Sequence, residues 1–219
     1  MDDIGFEDWL KVRFDRPVGE KPWYYDSDDL PADPPREISL RYLHKLFSEN
    51  GQLLEQYSDR QVNDGLYYLF SPGNSSEIFS LLDAELPLAE RLRAVDAVYL
   101  LYKDCFFARC SRKLTHLDKE LDVSVNGICY MLWDIAALPV HADKPEYKEI
   151  NAACLAVMEK ALQLDHEACR ESALHGLGHA ARYSPAEVGR VIDSFLKSAV
   201  NISPGLLRYA KAARSGMIQ

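Results

Sequence analysis

Leu88–Phe106, LAERLRAVDAVYLLYKDCF, decides the fold class. Leu88, Leu92, Val95, Tyr99, Tyr102 and Phe106 recur at intervals of three and four, the spacing of one helix face. A strand would send alternate members of that set to opposite sides. Pro87 stands just ahead of the run, where its fixed φ suits a helix start.

The same period returns along the chain. It is carried by Val125, Ile128, Leu132 and Ile135, then by Ile150, Cys154, Val157 and Ala161, and again by Val188, Val191, Ile192, Phe195 and Leu196. Helix starts are marked by Ser58 with Gln61, Asn74 with Glu77, and Ser184-Pro185-Ala186-Glu187, all read as capping boxes or close variants. Ser203-Pro204 opens a last short helix. The links are short, as in Ser71-Pro72-Gly73-Asn74, so consecutive helices are expected to lie antiparallel. Hairpin signals between alternating runs are missing. The expectation is an all-α domain.

Gly65-Leu66, Ser71-Pro72 and Ile78-Leu81-Leu82 are echoed by Gly176-Leu177, Ser184-Pro185 and Val188-Val191-Ile192. Each set reads as a helix, a tight polar turn and a second helix, although the two spacings differ by two residues. In this pattern residues 37–219 resemble HEAT- and armadillo-type repeat proteins. That resemblance implies stacked antiparallel helix pairs, an α-solenoid; an irregular helical bundle is the other architecture the pattern allows.

Residues 1–36 differ from the rest. They hold five of the eleven prolines, and ten acidic residues against five basic ones. Proline at that density prevents long helices. A short helix near residues 5–12, followed by an extended arm lying on the body, is the reading. Trp23, Tyr24, Tyr25, Asp26, Asp28 and Asp29 form an acidic aromatic run without the spacing of a calcium loop. It is the candidate partner-binding patch: rings anchor a partner while carboxylates meet its basic residues. Pinning of the arm by its own rings is the alternative reading.

The formal net charge of −9 argues against nucleic-acid binding and against anionic membranes, and suits a basic protein partner. Five cysteines without a C-x-x-C pair read as reduced core residues, which implies a reducing, cytoplasmic setting. The acidic, charge-broken first residues are no signal peptide. The uncharged stretch Val123–Trp133 is stopped by Asp134, far short of the about 20 residues a span needs.

His175-Gly176-Leu177-Gly178-His179 is the most suggestive chemical run. Two histidines four apart on a helix share a face and can hold one metal, with His166, Cys169 or Glu171 near enough in sequence to be a third ligand. The glutamate of H-E-x-x-H hydrolases is replaced by Gly176, so that base is missing. The plainer reading is that the glycines admit a neighbouring helix. Serine-nucleophile and phosphate-loop motifs are absent. No catalytic residue and no cofactor is assigned, and a non-enzymatic role is expected.

Small, acidic, motif-poor chains of this kind are similar as a class to bacterial immunity proteins. That similarity implies a cytoplasmic inhibitor that neutralises a basic toxin by occlusion. The alternatives are a metal-dependent hydrolase using His175 and His179, and a scaffold subunit in a larger complex.

Overall fold

The computed structural model describes residues 4–25, 30–136, 138, 144–198, 200 and 202–218. Its helices are α1 (Phe6–Phe14), α2 (Arg36–Leu53), α3 (Asp59–Phe70), α4 (Leu88–Leu100), α5 (Phe107–Arg109), α6 (Val125–Ile135), α7 (Lys148–Leu162), α8 (Glu167–Ala180), α9 (Pro185–Ser198) and α10 (Pro204–Arg214). Among the described residues there is no strand, and no helix long and apolar enough to cross a membrane. The fold is all-α.

The helices pack in two rows. In one, α2 meets α4 and α4 meets α7; in the other, α1 meets α3, α3 meets α6, α6 meets α8 and α8 meets α10. The rows are joined where α7 crosses onto α8, and α9 touches α7, α8 and α10. Buried apolar residues form one cluster running from Trp9 to Ala213. Trp9, Leu10 and Phe14 of α1 belong to it, so the first helix is set into the same core as the rest. Gly65 makes room for it: a β-carbon there would fall 2.5 Å from the Phe14 ring.

Local signals explain several ends. Ser58 and Gln61 form the expected capping box at the start of α3, and Ser203 Oγ accepts from Leu206 N with Pro204 in the first turn of α10. Asn74 and Glu77 do not form one. Residues Glu77–Leu81 are a 3₁₀ turn, not an α-helix, and the Glu77 carboxylate points inward to accept from Trp9 Nε1 (2.8 Å) and Arg13 Nε (2.7 Å). A buried cation captures the side chain that would otherwise reach back to the backbone.

The deciding helix also differs from its sequence reading. Leu88, Leu92 and Tyr99 are only half-buried, and the inner face of α4 is Arg91, Ala94, Val95, Ala97 and Val98. Arg91 lies buried among them, and its Nε donates to Leu86 O at 3.2 Å. From Leu101 to Phe106 the chain then takes a π-helical turn, which resets the phase of the stripe and leaves Tyr102 and Phe106 fully buried. Tyr102 accepts from Trp133 Nε1 at 2.7 Å and lies 2.7 Å from Ser172 Oγ. Ser172 donates onward to Cys129 O, so the Tyr102 hydroxyl proton goes to Ser172. This chain of three hydrogen bonds satisfies polar groups of α6 and α8 in the interior.

Candidate functional site

α8 is buried along almost its whole length, because α6, α7 and α10 all pack on it. Gly176 makes room for α6, and Gly178 for the segment that follows α10. A β-carbon at Gly176 would lie 2.6 Å from Trp133 Cγ, and one at Gly178 would lie 2.8 Å from the Ile218 side chain. Close approach at the glycines is therefore as the sequence suggested.

On the same face of α8, one turn apart, stand His175 and His179. Their Nε2 atoms are 3.2 Å apart. His179 Nε2 is also 3.1 Å from Asp134 Oδ1, on the last turn of α6. The donor atoms of Asp134, His175 and His179 all lie within 4.8 Å of one another. His175 Nδ1 meets the Tyr209 hydroxyl of α10 at 2.6 Å, and Tyr209 meets Tyr130 of α6 at 3.0 Å. The Tyr130 ring packs 4.2 Å from the His175 ring. Burial, and then the nearby His179 and His116, lower the His175 pKa to about 3, so its imidazole is neutral at physiological pH.

The ligands expected from proximity in sequence go elsewhere. Glu171, fully buried, accepts from Thr115 N (2.7 Å) and His116 N (3.1 Å) and pairs with His116 Nδ1. His166 Nε2 contacts Cys110 O at 3.1 Å. Cys169 points at Tyr102 O. The third group is Asp134, which is 41 positions from His175. Only the packing of α6 on α8 brings it there, and no spacing rule could have found it. The His116 ring stacks on Tyr209 at 4.5 Å. A cleft of about 390 Å³ beside it is lined by His116, Lys119, Asp122, Tyr130, Tyr209 and Met217 among others.

The arm aromatics divide into two roles. Trp23 lies 4.8 Å from Tyr68, beneath the Arg16 guanidinium at 4.6 Å. Tyr24 is buried, 5.9 Å from the same Tyr68 ring. These two pin the arm. Tyr25 stands edge-on to Tyr24 at 5.0 Å and is 66% exposed. Asp26, Asp28 and Asp29, the acidic half of the expected patch, lie outside the described residues.

Tyr67 of α3 links these regions. Its pKa is raised by burial, and then by Asp122, Tyr25, Asp134 and Asp64. Asp64 is neutralised by Arg60, whose Nε donates to both carboxylate oxygens at 3.0 and 2.8 Å. Tyr25, Asp122 and Asp134 are exposed and Tyr67 is half-buried, and the charges of the three all raise the Tyr67 pKa.

The cysteines are all buried and free. Burial pushes the Cys105 thiol up to about 12, so it is no nucleophile at neutral pH. Compared with protein-family models, curated proteins and solved structures, the chain matches none of them.

Proposed function

We propose that this protein binds a basic protein partner, with Tyr25, Tyr67 and Asp122 at the contact face, and that it acts as an inhibitor by occlusion in the manner of an immunity protein. One observation carries the reading. Tyr25 is two-thirds exposed while its neighbours Trp23 and Tyr24 are locked into the body, and Asp122 is an exposed carboxylate that, like Tyr25, raises the Tyr67 pKa. A large aromatic ring offers much contact area with only two side-chain torsions to fix, which is what makes such side chains dominate interface energies. Exposed carboxylates such as Asp122 favour cationic side chains and speed association with them. The formal net charge of −9 extends that preference to the whole surface.

The test is affinity capture from the source cells, run in parallel with wild type and with a Tyr25→Ala/Asp122→Lys variant. The expected result is a basic protein retained by wild type, released by moderate salt, and weakened by about 2 kcal/mol or more in the variant. A partner held equally by both proteins, or one with an acidic contact surface, would refute the proposed face.

A further inference from the structure

We propose that Asp134, His175 and His179 form a zinc-binding site. The first argument is a count of hydrogens. An imidazole nitrogen has a single in-plane position, carrying either a lone pair or an N–H. His179 Nε2 has two polar atoms at hydrogen-bond distance, His175 Nε2 at 3.2 Å and Asp134 Oδ1 at 3.1 Å. One proton, or one lone pair, serves one of these contacts well and leaves the other unserved. A cation among the three atoms uses a lone pair from each and leaves no contact unsatisfied.

The second argument is size. Zinc takes nitrogen and carboxylate oxygen at about 2.0–2.1 Å in tetrahedral geometry, which sets neighbouring donor atoms roughly 3.3 Å apart. Two of the three separations, 3.2 and 3.1 Å, are close to that edge, and the third lies within 4.8 Å. Two imidazoles and one carboxylate are also a donor set that suits zinc better than magnesium or calcium, which prefer oxygen alone.

The third argument comes from behind the ligands. A metal-bound histidine usually hands the proton of its other nitrogen to a fixed acceptor. With the His175 proton on Nδ1, the Tyr209 hydroxyl at 2.6 Å is such an acceptor, and it has Tyr130 at 3.0 Å to take its own proton in turn. In that tautomer Nε2 presents a bare lone pair toward His179 and Asp134. The ring is held further by Tyr130 at 4.2 Å.

The set offers three protein ligands and so leaves one tetrahedral position for water or another group. The side chains of His179 and Asp134 are 40% and 37% exposed, and His179 also lines a cleft of about 540 Å³ with Arg182 and Gly216. An ion can therefore reach the site from solvent without unfolding the seam.

The test uses full-length protein carrying no histidine tag, stripped with a chelator and titrated with zinc by calorimetry, with cobalt as the optical probe. One ion per chain and a cobalt spectrum of low-coordinate type are expected. His179→Ala and Asp134→Ala, both at partly exposed positions, are expected to lose that stoichiometric binding while keeping the helical circular-dichroism signal. Tyr209→Phe is expected to weaken binding about 10–100-fold, and His116→Gln to leave it intact. Failure of wild type to take up zinc would overturn the proposal, as would zinc bound by the His179→Ala and Asp134→Ala proteins as tightly as by wild type. Loss of zinc in His116→Gln alone would place the ion elsewhere and overturn it equally.

Discussion

Arg13 Nη2 and Glu77 Oε1 meet at 2.6 Å, and neither side chain is exposed to solvent at all. Glu77 takes further bonds from Trp9 and from Arg13 Nε. Burial raises its pKa more than these partners lower it, which shows how much the surroundings disfavour a lone charge. Removing the cation alone should therefore hurt far more than removing both charges. Arg13→Met is expected to cost about 3–5 kcal/mol, while Arg13→Met with Glu77→Leu should recover most of that loss. Urea unfolding of the two proteins decides it; equal losses would show that the pair is not what holds α1. For the same reason, deleting residues 1–36 should destabilise the body, because it removes Trp9 and Phe14 from the core and leaves Glu77 unpaired.

A substitution pair tests the seam beneath the histidines. At Gly176 an added methyl would press on Trp133 Cγ at 2.6 Å and Cβ at 2.7 Å, atoms close to the α6 backbone that cannot swing away. Gly176→Ala should cost about 1–3 kcal/mol by overpacking. Gly189, in α9, has nothing within 4 Å of its would-be β-carbon. There the change to alanine should stabilise by about 0.5–1 kcal/mol through helix propensity. Thermal unfolding curves of the two variants should move in opposite directions.

Alkaline conditions probe the core. Burial raises Cys105 and Tyr68 to about 12 each, from ordinary values of 9.0 and 10.0. Folded chains therefore hold those protons more tightly than unfolded ones. The stability this supplies is complete below about pH 9 and is lost as pH climbs toward 12, a few kcal/mol in sum. Urea midpoints measured at about pH 8 and about pH 10.5 should fall accordingly. A midpoint that rises would contradict the burial of these groups. In the native state at neutral pH, none of the five thiols should react with a bulky disulfide reagent.

Tyr102→Phe removes one hydroxyl from the chain of bonds between Trp133, Tyr102, Ser172 and the Cys129 carbonyl. The indole N–H is then buried without an acceptor. The expected cost is about 1–3 kcal/mol, read from chemical denaturation. A neutral result would mean that the Trp133 ring turns to find another acceptor, which a shift in its fluorescence would report.

Much of the fold is local chemistry and is readable as such. Ser58 with Gln61 and Ser203 with Pro204 mark helix starts that the structure contains, and the three-and-four spacing from Leu88 marks a helix. Its inner face is harder to read, because a charged residue, Arg91, is buried in it and the π-turn at Leu101–Phe106 changes the period partway. The turn at Glu77 was misread for a different reason. Its partner Arg13 is 64 residues away, and no window of sequence contains both. The candidate site divides in the same manner. His175 and His179 share a helix face by arithmetic, whereas Asp134 and Tyr209 arrive only through the packing of α6 and α10 on α8, and His116 through the bonds of its own turn to Glu171.

Tyr209 sits on α10, which leaves the ribosome well after His175 and Asp134 have emerged. Until α10 docks, His175 has no partner for Nδ1, and Gly178 lacks the Ile218 cover. A nascent chain therefore exposes an unfinished, histidine-rich groove on α8, and the last helix acts as a latch that completes it. Translation stalls or stop codons ahead of residue 204 would leave α1–α9 without that latch, a species vulnerable to proteases and to clumping through its open seam.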